Sequence, residues 1–157
     1  MRRYLACLIV LLAGLLAMTA CDLPLIGGIG KLGGSSTTRQ QVSPLSGSSW
    51  ALTQLIIAGH SQPLAPTAPV TLQFQASGDT YLGSSGCNYY NGAYTIAGRQ
   101  LQLDFGAVKK RACAGPIMSQ EVAYLNAMEQ VRSYQRDDKT LTLHDGAGKP
   151  ILVYAAA

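Results

Sequence analysis

The stretch Gly83–Tyr94, GSSGCNYYNGAY, is the part of the sequence that most restricts the fold. Asn91-Gly92 is a dipeptide that readily adopts the positive φ angles of a two-residue hairpin turn. It therefore predicts one strand through Tyr81-Leu82, before the turn, and a second strand over 93–96, after it. On this interpretation the stretch is the centre of an antiparallel hairpin.

Side chains within this stretch are assigned roles by the same reasoning. We expect Asn88 to bond neighbouring backbone, because asparagine does so in turns. Strand side chains alternate between two faces, so Tyr94 should point inward while Tyr89 or Tyr90 is exposed. Tyr89, Tyr90 and Asn91 together form a candidate exposed binding loop.

The first 21 residues carry the features of an export signal. Arg2 and Arg3 precede an uncharged, mostly apolar run over 4–20, which is the layout of a signal peptide. The run is just under the ~18–20 residues that a spanning helix needs. It ends in Met18-Thr19-Ala20-Cys21, which resembles the lipobox of bacterial lipoproteins. We expect lipid on Cys21; an ordinary secreted protein and an uncleaved anchor are the alternatives.

The role of Cys87 follows from the compartment. The chain has four cysteines, of which one lies inside the signal sequence and Cys21 takes the lipid. Cys87 and Cys113 remain, and a leftover pair in an oxidising compartment predicts a disulfide. A catalytic thiol needs a histidine partner and a zinc site needs four ligands. Only His60 and His144 are present, and neither lies near a cysteine in sequence, so no metal site is predicted.

The charge of the chain does not indicate nucleic acid as a partner. The formal net charge is +4, and it falls to +2 once Arg2 and Arg3 are removed with the signal. Such a small excess gives no basic surface on the scale that nucleic acid requires. The one basic run is Lys109-Lys110-Arg111. It is interpreted as a solvated loop beside the disulfide, with a contact to lipid headgroups or anionic cell-wall polymer as the alternative.

The sequence predicts three segments: a signal peptide over 1–20, a lipidated cysteine with a flexible tether over 21–46, and a folded domain over 47–157. The tether is rich in glycine and serine and has little periodicity, a composition typical of flexible linkers.

Alternating apolar residues predict several strands in the folded domain. VTLQFQA over 70–76 and QLQLDF over 100–105 alternate clearly, and TLTLHDGAGKPILVYA over 140–155 is predicted to form two strands around a turn. Short strands with closely spaced turns favour a small, strongly curved antiparallel sheet or barrel-like sheet.

One helix interrupts these strands. SQEVAYLNAMEQVRSY, over 119–134, has helical spacing, with Ser119 as N-cap and Glu121 favoured in the first turn by the helix dipole. Apolar residues at steps of three and four are predicted to face the core: Met118, Val122, Leu125, Met128 and Val131. The fold class is therefore α+β, with one main helix packed on the sheet.

Several of these residues together resemble the META domain, the fold of HslJ-like heat-shock lipoproteins. The matching positions are Trp50, Gly86-Cys87-Asn88, Gly92, Tyr94, Cys113, Glu121, Tyr124, Leu125 and Leu141-x-Leu143. The resemblance covers about 46–157 and implies an α+β domain in the bacterial envelope. Family members often have threonine where this chain has Lys109, and the resemblance supplies no catalytic residue or cofactor.

The expected function is that of a non-catalytic envelope lipoprotein, facing the periplasm from either membrane. It would act as a binding or stress-response module whose partner is an envelope protein or a cell-wall component, and we expect a monomer. The alternative is an inhibitor of a cell-wall lytic enzyme that inserts a loop such as 89–91. A hydrolase is less favoured, because the sequence contains no nucleophile elbow and no motif that identifies a pair of carboxylates as catalytic.

Overall fold

The computed structural model describes residues 42–108 and 111–157. Within these ranges the chain forms nine strands and one helix. They are β1 Ser49–Ile57, β2 His60–Gln62, β3 Val70–Phe74, β4 Thr80–Ser85, β5 Tyr89–Ala97, β6 Gln100–Val108, α1 Gly115–Glu129, β7 Ser133–Arg136, β8 Thr140–His144 and β9 Pro150–Ala156.

The strands form a single antiparallel sheet that curves into a near-ring. Their order is β2-β1-β3-β4-β5-β6-β7-β8-β9, and β1 also pairs with β9, for example Leu52 with Tyr154. The weakest junction lies between β6 and β7, which are joined by the single strand pair Gln100–Ser133. The predicted α+β fold with a strongly curved sheet and one packed helix is confirmed.

Alternation along the strands fills the ring with apolar side chains. In β3, Val70, Leu72 and Phe74 are buried, and in β8 Leu141 and Leu143 are buried. Each large apolar side chain that leaves water contributes about 1.5–3 kcal/mol. The clear period-two patterns of the sequence therefore mark the inward face correctly.

The hairpin prediction at Asn91-Gly92 is wrong. Both residues lie inside β5, where Gly92 pairs with Tyr81 of β4 and with Phe105 of β6. The chain instead turns between Ser85 and Tyr89, where Gly86 has a φ of +100°. An Asn-Gly pair can turn, but here the glycine is needed for a close contact between strands.

Reciprocal tyrosine–glycine pairs explain that contact. Tyr81 lies opposite Gly92, and Gly83 lies opposite Tyr90, on adjacent strands. A Cβ atom on Gly83 would collide with the Thr71 carbonyl oxygen and the Tyr90 hydroxyl. Glycine at both positions therefore lets each tyrosine ring lie across the neighbouring strand.

The folded domain begins before residue 47. Leu45 is fully buried, and its carbonyl oxygen accepts a 2.5 Å hydrogen bond from the Ser48 hydroxyl. Arg136 donates to the Pro44 carbonyl and its guanidinium lies 5.3 Å from the Trp50 ring centroid. Leu45 therefore takes a core position just before the predicted start of the domain at residue 47, while the rest of the predicted signal and tether, residues 1–41, lies outside the described residues.

Helix α1 also differs from the prediction. It starts at Gly115 rather than Ser119 and ends at Glu129, so Ser133-Tyr134 belongs to β7. Its buried residues are Gln120, Glu121, Tyr124, Ala127 and Met128, whereas Val122 is 54% exposed. The inward stripe is displaced because polar side chains with hydrogen-bond partners occupy it. No helix in the described part of the chain is long and apolar enough to cross a membrane.

Candidate functional site

The Cys87–Cys113 disulfide is present, as predicted. Its Cα atoms are 6.0 Å apart, and it joins the β4–β5 turn to the segment just before α1. Cys87 is only 3% exposed, whereas Cys113 is partly exposed. The bridge thus connects the start of the helix to a turn that belongs to the sheet.

A buried polar cluster, formed by Ser85, Asn88 and Glu121, lies beside the disulfide. Glu121 Oε2 accepts from the Asn88 backbone N–H at 2.9 Å and from the Ser85 hydroxyl, and Oε1 accepts from Asn88 Nδ2 at 2.8 Å. All three residues are buried. The carboxylate therefore satisfies three donors and ties α1 to the β4–β5 turn. The sequence predicts a different role for Glu121, an interaction with the helix dipole in the first turn.

Asn88 extends this polar cluster to the segment before the helix. Its Oδ1 accepts from the Arg111 N–H at 2.8 Å, and its Nδ2 donates to the Arg111 carbonyl oxygen at 3.1 Å. Asn88 bonds backbone, as predicted, but that backbone belongs to Arg111, 23 positions away, and not to the neighbouring turn. The Arg111 guanidinium donates to the Cys87 carbonyl oxygen at 2.7 Å. Lys109 and Lys110 lie outside the described residues, so the anion contact of the basic run stays a prediction.

A chain of buried hydroxyl groups crosses the interior. The oxygen atoms of Tyr90 and Tyr124 are 2.5 Å apart and those of Tyr124 and Tyr154 are 3.1 Å apart. Tyr90 also donates to the Thr71 carbonyl oxygen at 2.7 Å. Burial raises the pKa of each tyrosine in this hydroxyl chain, and the charge of a neighbouring tyrosine would raise it further. At ordinary pH these groups are neutral donors and acceptors that hold α1 to the sheet.

The candidate binding loop Tyr89-Tyr90-Asn91 is wrong as a loop. All three residues lie in β5, and alternation sends them to opposite faces of the sheet. Tyr89 is 69% exposed, whereas Tyr90 and Tyr94 are buried, as alternation predicted. An insert for the active site of a lytic enzyme needs a protruding loop, and these residues do not form one.

A groove of about 1190 Å³ runs along α1, between the helix and the turns that end β1 and begin β9. We call it the α1 groove. Its apolar lining includes Ile56, Ile57, Met118, Val122, Ala123 and Ile151. Val122 and Ile57 are 54% and 42% exposed, so contiguous apolar surface faces solvent here, which is a mark of interaction sites.

The rim of the α1 groove carries one charge of each sign. Asp145 and Lys149 both line it. Asp145 Oδ1 accepts from the backbone N–H groups of Ala147 and Lys149, at 2.9 and 2.8 Å, which fixes the β8–β9 turn. The two charges give this rim no net charge.

A smaller hollow of about 360 Å³ lies next to the α1 groove. It shares Ile57, Ser119 and Ala123 with the groove and is also lined by Pro116. The first turns of the helix therefore border both depressions. Within the described ranges no three His, Cys, Asp or Glu side chains are grouped as ligands for a metal ion.

Sequence reasoning missed the α1 groove by assigning Met118 and Val122 to the core. The sequence nevertheless indicates that part of the apolar surface of the helix is exposed. Tyr124 and Ala127 lie beside the predicted stripe that starts at Met118, so the apolar residues of the helix cover more than one stripe. A helix that packs on one sheet buries one stripe, so part of this apolar surface had to remain outside.

Comparisons with known proteins agree with this geometry. Residues 43–157 match the model of the META domain. The chain is similar to the NMR structure of a protein from Burkholderia xenovorans, with 28% identity, a TM-score of 0.59, and coverage of 72% of this chain and 83% of that chain. A duf4847 family protein from Bacteroides vulgatus shares the fold alone, with 15% identity, a TM-score of 0.53, and coverage of 71% and 94%. No curated protein matches the chain.

Proposed function

The chain belongs to the META domain family, and from that premise we propose that it is a non-catalytic binding module which a lipid on Cys21 holds in the bacterial envelope. The observation that carries the proposal is the α1 groove, where the apolar side chains of Val122 and Ile57 stay exposed beside a pre-formed depression. Exposed apolar surface of this kind is retained where a partner covers it.

The buried groups described above support a non-catalytic role. Glu121 accepts hydrogen bonds from three buried donors, so its lone pairs serve the fold. The hydroxyl chain is internal and its pKa values are raised by burial, which disfavours ionisation of these phenols. A general acid or base needs a reachable proton and a pKa near the working pH.

The occupant that fits the α1 groove best is an apolar segment of another envelope protein. The rim has no net charge, because Asp145 accompanies Lys149, and an anionic lipid headgroup would favour a cationic rim. The groove also lies at the Ile57 end of β1, whereas the chain enters the domain beside Ser49, about 26 Å away along the strand. It is therefore displaced from the point where the tether attaches.

Photo-crosslinking in intact envelopes tests the site. A photoreactive side chain in place of Val122 should crosslink a protein partner, and Val122→Glu in a competing copy should not displace it. The matched control replaces Leu82, which is 41% exposed on the outer face of β4. Equal capture from positions 82 and 122, or capture of lipid alone at 122, would contradict the proposed occupant.

The anchor is tested separately. Cys21→Ala should abolish incorporation of labelled palmitate and change electrophoretic mobility, because the lipidated cysteine is the attachment point. Cys7→Ala is the matched control, since this cysteine lies within the segment expected to be removed. Unchanged labelling of Cys21→Ala would show that the lipobox interpretation is wrong.

A further inference from the structure

The start of α1 lacks the usual local stabilisation. Ala114 occupies the N-cap position, with φ −57° and ψ 147°, and no side chain caps the helix there. Gly115 follows as the first helical residue, and glycine is a poor helix former. Pro116 suits the first turn, but a missing cap costs a helix about 0.5–2 kcal/mol.

This uncapped turn is held from both sides. Upstream, Cys113 is bound to Cys87 of the β4–β5 turn, and Arg111, two residues earlier, is hydrogen-bonded to Asn88 and Cys87. Downstream, Gln120 accepts from the Ala65 N–H at 2.6 Å and donates to the Ala68 carbonyl oxygen at 3.0 Å, and Glu121 accepts its three hydrogen bonds. Residues 115–118 lie between these attachments, and the disulfide at Cys113 is the upstream attachment nearest to them.

We propose that the Cys87–Cys113 disulfide acts as a redox-sensitive latch, by which we mean that it keeps the first turn of α1 helical only while it is oxidised. Through this turn it also controls the wall of the α1 groove. Met118 lines the groove and Pro116 lines the adjoining hollow. When the disulfide is reduced, residues 115–118 fray, whereas the helix from Gln120 onward stays in place. As a means of regulating binding, the latch rests on the proposed function of the groove.

The reductant is a dithiol. Its first thiolate attacks Cys113, the more exposed sulfur, which forms a mixed disulfide and releases Cys87 as a thiolate that takes up a proton. The second thiol of the reductant then attacks the mixed disulfide and releases Cys113. The protein disulfide gains two electrons and two protons, and the dithiol becomes a disulfide.

Amide hydrogen exchange on the full chain, purified in detergent, tests the latch without any partner. The N–H groups of Ile117 and Met118 both donate to the Ala114 carbonyl oxygen, at 3.0 and 3.1 Å. Reduction with dithiothreitol should speed their exchange about tenfold, a change comparable to that caused by removing the cap of a capped helix. The pair of substitutions Cys87→Ser and Cys113→Ser should do the same. In both redox states, exchange in β8 should stay much slower than exchange at these two amides, because core strands open only on global unfolding whereas a helix end opens locally.

A rescue variant separates the latch from a general loss of stability. Ala114→Asp supplies a side-chain cap for the Ile117 N–H, so the redox dependence of exchange at 117 and 118 should shrink. Ala112→Asp, an exposed change in the same segment, should leave it unaltered. Equal exchange in both redox states, exchange at 117 and 118 that is no faster than exchange in β8, or no rescue by Ala114→Asp would overturn the latch. The groove proposal would remain, since Val122 crosslinking tests it independently.

Discussion

Glu121→Gln tests the central role of the buried polar cluster. The substitution keeps the size of the side chain but replaces one carboxylate oxygen with an NH₂ donor. In the native protein, Oε2 of Glu121 accepts from Ser85 and from the Asn88 N–H, and Oε1 accepts from Asn88 Nδ2. In either orientation of the new amide, its NH₂ group faces an Asn88 donor at a distance of about 2.8–2.9 Å.

The surroundings cannot relieve this conflict. The Ser85 hydroxyl can rotate, but Asn88 cannot exchange its amide oxygen and nitrogen without losing its two bonds to Arg111. At least one charge-assisted hydrogen bond is lost, and a buried donor is left without an acceptor. Such a loss costs about 2–4 kcal/mol of unfolding free energy.

Urea unfolding at pH 7 and 25 °C measures the cost, with the fluorescence of Trp50, the single and buried tryptophan, as the signal. At an m value of about 1.5 kcal/mol/M, the midpoint should fall by about 1.3–2.7 M. Glu129→Gln is the matched control, because Glu129 is exposed at the end of the same helix, and it should change stability by no more than about 0.5 kcal/mol. Equal midpoints for the two variants would refute the role given to Glu121.

The remaining predictions concern other buried groups. Tyr94→Phe should leave the unfolding free energy unchanged or raise it by about 1 kcal/mol, because the buried Tyr94 hydroxyl has no hydrogen-bond partner. Tyr90→Phe should lower it by about 1–3 kcal/mol, because the Tyr90 hydroxyl bonds Thr71 and Tyr124. A larger loss for Tyr94→Phe than for Tyr90→Phe in urea unfolding would contradict this. Replacing both Cys87 and Cys113 by serine should lower the unfolding free energy by about 3.5 kcal/mol in the chain-entropy model for a sequence separation of 26, measured by urea unfolding without reductant; an unchanged midpoint would show that the bridge adds nothing. Burial raises the pKa values in the hydroxyl chain, so tyrosines of the unfolded chain ionise before the folded ones. The stability that the neutral phenols contribute is therefore fully present below about pH 10 and is lost as the pH rises above this value. Tyrosinate absorbance and circular dichroism should therefore change together on alkaline titration, and ionisation of every tyrosine near pH 10 with the fold intact would argue against buried phenols.

The disulfide and the strands were accessible from sequence because each depends on local or compositional information. The Cys87–Cys113 pairing follows once the other two cysteines are assigned to the export segment. The strands that begin at Val70 and Thr140 follow from alternation, since successive side chains of a strand face opposite sides. The same alternation correctly placed Tyr94 inside the ring.

The errors arose where a residue serves a distant contact. Gly92 looked like part of a turn, but it is glycine because the Tyr81 ring crosses its strand. Val122 looked like core, but Gln120 and Glu121 take the inward positions of α1. Polar side chains can be buried when distant partners satisfy them, and those partners are known only once the sheet has closed.

The sequence by itself therefore determined the disulfide, the alternating strands and the family to which the chain belongs. The tertiary structure alone decided which face of α1 is buried, where Glu121 finds its three donors, and that the apolar residues left over meet Ile57 in a groove. The physical reason is that period and composition are properties of neighbouring residues. Hydrogen bonds and packing between α1 and the sheet, in contrast, join residues that are distant in the sequence, such as Asn88 and Glu121, which are 33 positions apart.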